Sequence, residues 1–597
     1  MRIHATHLSA ALLVGVAEYS LPPFKCLAEC PEVRFMTTAS NSSPRSESPT
    51  SITPRSKTAR SRKPEDGALR RRQTLSVVAA CVAIFCAYVP LTAVAVALPS
   101  IQADLGVSTS ELTWVLDALV LTMAAFILLS GTLGERHGHK RVLIGGLSLI
   151  CGGSLLGLCA GSSVVLLWTA QAVLGLAAAS LLASSLAVVS HAVPDPHRRA
   201  KAIAAWASSL ASGLVVGPWL STAVIDAMGA RWTWIYAGVA PFALIGLLIA
   251  GIGVEETPRR TSRALDAPGQ VTAALGIALL VFAVIEGPGS GWNSPRVVGG
   301  FVLSAATLAG FVWRESRTAS PMLDLRLFRS RHFVAACIVA VLVMFGLVGT
   351  LFLLSLFFGG LQQEPVGAVA LRFLLVTGPI VITGPVAART AQRLHPRVPL
   401  IVGLVLGGAG MLSLIGLSPH SILGDVWWRL VAIGAGVGLV LASMTAIAVS
   451  AVPTPLVGVA GAATNTLRQT GGALGPAVLS AVVTSRVHTQ LPHELAARQV
   501  NPETADRAQS LLNRGGLRAL GELPPEPQTR AVVTAAGRAF TDGIHLAMAL
   551  SGGTLLAAAL LAVVALRPDP AAASRRVSGR IPSQNPPSSD RSTSSRQ

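Results

Sequence analysis

Long apolar runs, separated by short polar stretches, recur along most of the chain. A helix needs about 20 mostly apolar residues to cross the hydrocarbon core of a bilayer. Such runs occupy 75–98, 112–133, 142–160, 164–189, 203–225, 234–254, 269–285 and 297–313. They continue at 333–358, 373–388, 398–417, 427–449, 457–483 and 544–566, which makes about fourteen spans. The runs at 269–285, 297–313 and 373–388 are short, so the count carries an error of one or two. An all-α membrane protein is expected. The apolar stretch 8–16 is too short to span and precedes no convincing cleavage site, so no signal peptide is read there. Residues 1–73, rich in Ser, Pro and Arg, read as a disordered basic tail in which Met36 offers a second start. Residues 567–597 read as a second polar tail.

Composition agrees with this pattern. The chain is 51% hydrophobic and 13% charged, against about 25% charged in a soluble domain. The formal net charge of +19 could point to nucleic acid. The basic residues sit in tails and short loops without a recognition motif, so the bilayer is the expected partner and nucleic acid is not. Alternate loops carry Arg136, Lys140 and Arg141, then Arg198, Arg199 and Lys201, then Arg259, Arg260 and Arg263. Arg314, Arg317, Arg326, Arg329 and Arg331 follow, and then Arg389, Arg393 and Arg397. Basic loops stay on the cytoplasmic side. Both termini are therefore expected in the cytoplasm of a multi-pass plasma-membrane protein. The segment 486–540 is expected outside, as a solvated loop. The seven cysteines imply no disulfide framework, and Cys26 and Cys30 form only an isolated pair. No metal site and no cofactor are expected, and no paired acid–base or nucleophile constellation marks an enzyme.

The chain repeats itself. Gly213-x-x-x-Gly217-Pro218 recurs as Gly471-x-x-x-Gly475-Pro476. Leu182-Ala183-Ser184 before Ser190 and Pro194 recurs as Leu441-Ala442-Ser443 before Ser450 and Pro453. Arg136 to Arg141 recurs as Arg393 to Arg397, and all three matches agree on an offset of about 258 residues. An even number of spans separates the copies, so they run in the same direction. The expected organisation is a six-helix bundle over 74–254, two extra spans within 255–332, and a second six-helix bundle over 333–566.

These residues resemble the major facilitator superfamily, in its fourteen-span drug:proton antiporter branch. The loop Gly131-x-Leu133-Gly134-Glu135-Arg136-x-Gly138-x-Lys140-Arg141 is similar to the superfamily signature between the second and third spans. Gly213, Gly217 and Pro218 resemble the antiporter signature of the fifth span, with Ser221 in place of a further glycine. Asn465-Thr-Leu-Arg468-Gln469-x-Gly471-Gly472, Leu361-Gln362 and Leu265-Asp266-x-x-Gly269 resemble the branch's own patterns. The chain departs from the branch at Pro90 and Ala95, where the first span usually has an acidic residue and an asparagine. It departs again at Gln171, where the fourth span usually has arginine. The resemblance implies proton-coupled export of hydrophobic or amphipathic drug-like or antibiotic molecules by alternating access. It also implies a gating role for the 131–141 turn and an unusual proton route. The alternatives are a proton-coupled importer of a small organic solute and a non-transporting membrane sensor. No phosphate-binding loop is present, so ATP is not the expected driver.

A charge at the centre of a membrane helix costs about 2.5–3.5 kcal/mol on insertion scales. Asp117, about two turns into the second span, and Arg468, well inside the thirteenth, are therefore the expected proton-coupling residues. Gln171, Asn465 and Gln469 are expected at the cavity. Arg372 and Arg429 are expected to snorkel from helix ends, and Asp226 and Glu286 to be solvated. Trp232, Trp234, Tyr236, Trp427 and Trp428 are expected at the outer boundary. A monomer is expected.

Overall fold

The computed structural model describes residues 62–229, 231–257, 266–318, 323–453, 456–515, 517, 519–520 and 527–566. Most of the two tails, Cys26, Cys30, Met36, Arg259, Arg260, Arg263 and Leu265 lie outside the described residues.

The described chain is helical. The first part comprises α1 (Arg62–Leu105), α2 (Thr109–His137), α3 (His139–Cys159), α4 (Val164–Ala192), α5 (Pro196–Thr222) and α6 (Trp234–Gly253). A π-helical turn, Ala223–Ala227, extends α5. Next come α7 (Ala267–Ser290) and α8 (Pro295–Arg317). The last part comprises α9 (Arg331–Ser355), α10 (Val366–Arg393), α11 (Arg397–Ser413), α12 (Leu423–Ser450), α13 (Val457–Ala497), α14 (Pro502–Gly515) and α15 (Pro527–Ala565). A second π-helical turn, Leu356–Leu361, extends α9.

Local chemistry fixes where these helices start. Ser108 and Glu111 form a reciprocal capping box at α2. Ser163, Asp195, Asp266, Ser294 and Ser330 cap α4, α5, α7, α8 and α9 with side-chain oxygens. Proline stands in the first turn of α5, α7 and α8, where its missing N–H is no loss.

Thirteen helices among the described residues are long and apolar enough to cross a membrane. The fourteenth, α13, falls short of that apolarity because Asn465, Thr466, Arg468, Gln469 and Thr470 interrupt it. It packs against α2, α7, α9 and α15, so protein rather than lipid surrounds its polar stretch. That placement lets a polar helix complete the set.

The duplication read from the sequence reappears in the packing. In the first half α4 packs on α2 and α3, and α3 on α6. In the second half α12 packs on α10 and α11, and α11 on α15. The Gly-x-x-x-Gly-Pro copies keep the same register. A Cβ on Gly217 would lie 2.7 Å from the Val89 carbonyl oxygen, and one on Gly475 would lie 2.4 Å from that of Phe345. Each glycine pair thus lets one helix ride on the backbone of its half's first helix. Among the described residues the halves meet along the seams of α2 with α13 and α5 with α10, and α1 also reaches the second half through Tyr88 and Pro99. The α7–α8 pair leans on the first seam, where α7 touches both α2 and α13.

The segment 486–540 departs from the expected solvated loop. Helices α13 and α15 run to 41 and 39 residues, well past the ~20 a bilayer needs. Their extensions and α14 enclose a separate small core that includes Leu491, Leu495, Val500, Ala508 and Val532. Glu503, Asp506 and Arg507 are exposed on the outer face of the amphipathic helix α14.

Candidate functional site

A narrow cavity of about 50 Å³ lies between the two halves. Its walls come from α1, α2, α5, α9, α10, α12 and α13. Leu91, Leu210, Leu214, Met344 and Leu347 make it apolar, and Tyr88, Thr92, Thr377 and Arg468 are its polar members. One contact crosses it: an Arg468 Nη donates to the Tyr88 hydroxyl at 3.2 Å. Arg468 Nε and Thr92 Oγ are buried without a hydrogen-bond partner.

Asp117 lies behind this cavity, on the α2–α13 seam. The seam's register is set by three contacts. Thr113 donates to Ser480 at 3.3 Å, Val120 packs on Gly472, and Gln469 Nε2 donates to Met123 Sδ at 2.8 Å. Thr113 and Val120 share a face of α2 with Asp117, at four and three residues' remove. The antiparallel register puts Asp117 level with Pro476. Asp117 is 0% exposed and both its carboxylate oxygens lack a partner. Proline has no N–H, so Pro476 leaves the carbonyl of Gly472 without its helical donor.

The three polar residues expected at the cavity lie elsewhere. Gln171 is buried inside the first half, where Nε2 donates to the Val115 carbonyl at 2.8 Å and Oε1 accepts from the Tyr236 hydroxyl at 3.4 Å. Gln469 is buried on the seam, and Asn465 donates to Gly461 of its own helix at 3.1 Å.

The signature turn is anchored within the first half. Gly138 has φ +97°, and its N–H donates to Gly134 O at 2.9 Å. The end of α6 then receives the turn. Lys140 Nζ reaches Gly251 O at 3.1 Å, Arg141 pairs with Glu256 at 3.5 Å, and the His139 N–H donates to Thr257 Oγ at 2.9 Å. Arg72 of α1 pairs with Glu255 at 2.7 Å. Gly131 has open space around it, and Arg136 is exposed. Glu255, Glu256 and Thr257 were missed from sequence, although an acidic pair directly after an apolar run is a visible partner for a basic turn.

At the opposite face, contacts join the halves. The Pro99 ring lies against Gly359, and Asp226 accepts from the Gly367 N–H. Asp226 is exposed, as expected of a helix end, and also bridges the halves. Arg372 does not snorkel. It is 5% exposed, ion-paired with Glu364, and 4.4 Å above the Phe358 ring. Trp232 and Tyr236 are buried too, Trp232 Nε1 donating to Asp104 at 2.8 Å. Trp234, Trp427 and Trp428 are exposed. Arg429 stacks 5.4 Å from the Trp428 ring, and Glu286 accepts from Ser290.

Residues 80–476 match the sequence profile of the Major Facilitator Superfamily. The chain belongs to that superfamily. Among its relatives is a protein named multidrug resistance protein Stp from Mycobacterium tuberculosis (strain CDC 1551 / Oshkosh). It is 32% identical over 505 residues, which is 83% of this chain and 92% of the relative. A tetracenomycin C resistance and export protein from Streptomyces glaucescens is 28% identical over 508 residues, 84% of this chain and 93% of that one. In fold, the chain is similar to a bacterial homolog of the human lysosomal transporter Spinster, solved in an inward-facing and occupied conformation. The TM-score is 0.56 at 15% identity, over 83% of this chain and 98% of the other. In this superfamily member the cavity occupies the junction of the two halves.

Proposed function

We propose that this protein is a drug efflux transporter of the plasma membrane. It exports hydrophobic or amphipathic drug-like or antibiotic molecules in exchange for protons, by alternating access. The single observation behind the proton exchange is Asp117, a fully buried carboxyl with no partner on the seam that must shear when the halves tilt. A neutral acid fits among apolar walls. An ionised carboxylate there would be costly without a partner or water. Loading and release of the proton are thereby tied to whether the seam is dry or wet. Arg468, in the cavity on the same helix α13, is the substrate-side partner of that change. Drug export agrees with the names borne by the relatives and with the apolar cavity.

The basic turn at 136–141 and both termini face the cytoplasm, following the positive-inside pattern. The bridges at Asp226 and Pro99 then close the outer face, and the cavity of this conformation belongs to the inward-facing state. The halves over 74–254 and 333–566 act as the rocking bodies, and the unit acts as a monomer.

The test uses everted vesicles containing wild type or Asp117→Asn. Wild type accumulates a fluorescent hydrophobic drug when a proton gradient is imposed and stops when it is collapsed. Asp117→Asn retains drug binding and loses gradient-driven accumulation. Full gradient-driven accumulation by the variant would sink the assignment of Asp117.

A further inference from the structure

The cavity contains a cation and no anion. Its lining holds Arg468 and no Asp or Glu among the described residues. The contact recorded for the guanidinium is a neutral one, the Tyr88 hydroxyl at 3.2 Å. Arg468 Nε is buried and unpartnered, and so is Thr92 Oγ. Tyr88 accepts from Arg468, which leaves its own proton to donate. The buried carboxyl of Asp117 does not complete the guanidinium. It lies level with Pro476, eight residues along α13 from Arg468, which is about 12 Å at the helical rise. The cavity thus offers a charged guanidinium and the free proton of the Tyr88 hydroxyl in otherwise apolar walls.

We propose that this site selects hydrophobic molecules bearing an anionic group, a carboxylate or an ionised phenol or enol, and discriminates against lipophilic cations. The inference rests on the reading of the cavity as the substrate site of an exporter. An apolar body replaces the contacts of the Leu and Met walls, while the anionic group pairs with the Arg468 guanidinium and accepts the proton that the Tyr88 hydroxyl leaves free. Charge-assisted hydrogen bonds of this kind are about twice as strong as neutral ones. A lipophilic cation meets like charge in a low-dielectric space and finds no acceptor on the guanidinium. Excluding the wrong charge is a source of specificity in its own right.

The experiment compares pyrenebutyrate, pyrenebutanol and pyrenebutyl-trimethylammonium, which share one apolar body. Binding to the full-length protein in nanodiscs of neutral phospholipid is followed by tryptophan-to-pyrene energy transfer. Wild type is expected to bind the butyrate at least ~10-fold more tightly than the ammonium compound. Arg468→Gln should bring the two within about twofold of each other, as expected when the one charge-assisted partner is gone. Arg468→Lys should keep the preference, which separates loss of charge from loss of fold. Equal binding of the two ions by wild type, preference for the cation, no binding of any probe, or a preference that survives Arg468→Gln would each overturn the inference. Gradient-driven uptake of pyrenebutanol into everted vesicles tests the exporter reading separately. Uptake without anion preference defeats this inference alone. Anion preference without uptake defeats the exporter reading and leaves the site assignment standing.

Discussion

Asp226, in the π-helical turn that extends α5, accepts a hydrogen bond from the backbone N–H of Gly367 in the first turn of α10. The two residues belong to different halves. The partner N–H is one of the orphan donors at a helix start, where a carboxylate is also favoured by the helix dipole. The bridge therefore ties one half to the other at the face remote from the signature turn.

Removing that bridge should loosen the closed face. A charge-assisted hydrogen bond contributes about 1.5–3 kcal/mol, and about 1.4 kcal/mol is a tenfold change in a two-state population. Asp226→Ala is expected to raise outward opening by about tenfold, with Asp226→Asn intermediate. The measurement is labelling of a cysteine introduced at Leu214, in an otherwise cysteine-free chain, by an impermeant maleimide added from outside. An unchanged labelling rate in Asp226→Ala would show that the bridge does not hold the face shut.

The glycine pairs supply a second prediction. A Cβ on Gly217 would meet Thr92 Oγ at 2.2 Å, and a Cβ on Gly475 would meet the Gly349 amide nitrogen at 2.9 Å. Gly384 has nothing within 4 Å. Gly217→Ala and Gly475→Ala should each destabilise the protein by about 1–3 kcal/mol, the usual cost of overpacking. Gly384→Ala should be neutral or slightly stabilising. Thermal unfolding in a fixed detergent, followed by tryptophan fluorescence, ranks the three. A drop for Gly384→Ala as large as the other two would contradict the close-packing account.

How far the sequence could be read depended on the range of the information. The spans and the duplication were legible because they rest on local runs and on an offset within one chain. Arg468 was legible because a charge interrupts an apolar run. Its partner Tyr88 was not. The two are 380 residues apart, and α1 reads as uniformly apolar around that tyrosine. Gln171 illustrates the opposite error. A glutamine in an apolar span signals a need for partners, but not which way its helix is turned, and here it faces Val115 and Tyr236. Segment 486–540 was misread because its charge was weighed before its periodicity. Ala505, Ala508, Leu511 and Leu512 mark an apolar stripe along α14 that faces the small separate core.

The signature turn separates backbone geometry from surface charge. The Arg141–Glu256 pair is 3.5 Å apart, with side chains 62% and 33% exposed. An exposed pair of that kind contributes about 0–1 kcal/mol. Gly138 sits at φ +97°, and an added Cβ would meet Glu256 Oε1 at 2.0 Å. Glu256→Gln should therefore change stability little, whereas Gly138→Ala should cost about 1–3 kcal/mol from backbone strain alone. The double variant, in which the shorter Glu256→Ala side chain clears the space, should recover only the clash and not the strain. Full recovery in urea-titrated unfolding would show that the unusual φ carries no cost.

Arg372 and Glu364 provide the sharpest contrast with that exposed pair. Their side chains are 5% and 23% exposed, the guanidinium lies over Phe358, and it also donates to Ala368 O at 3.0 Å. Removing one member of a buried pair leaves the other charge uncompensated, at about 3–5 kcal/mol. Replacing both with groups of similar shape is far milder. Glu364→Gln alone should thus strongly reduce the amount of folded protein recovered from membranes. Glu364→Gln combined with Arg372→Met should restore most of it, since methionine refills the space beside Phe358. Size-exclusion profiles of detergent-extracted protein report both outcomes. A double variant no better folded than Glu364→Gln would mean that Arg372 is needed for its own contacts with Phe358 and Ala368, and not only as a counter-charge.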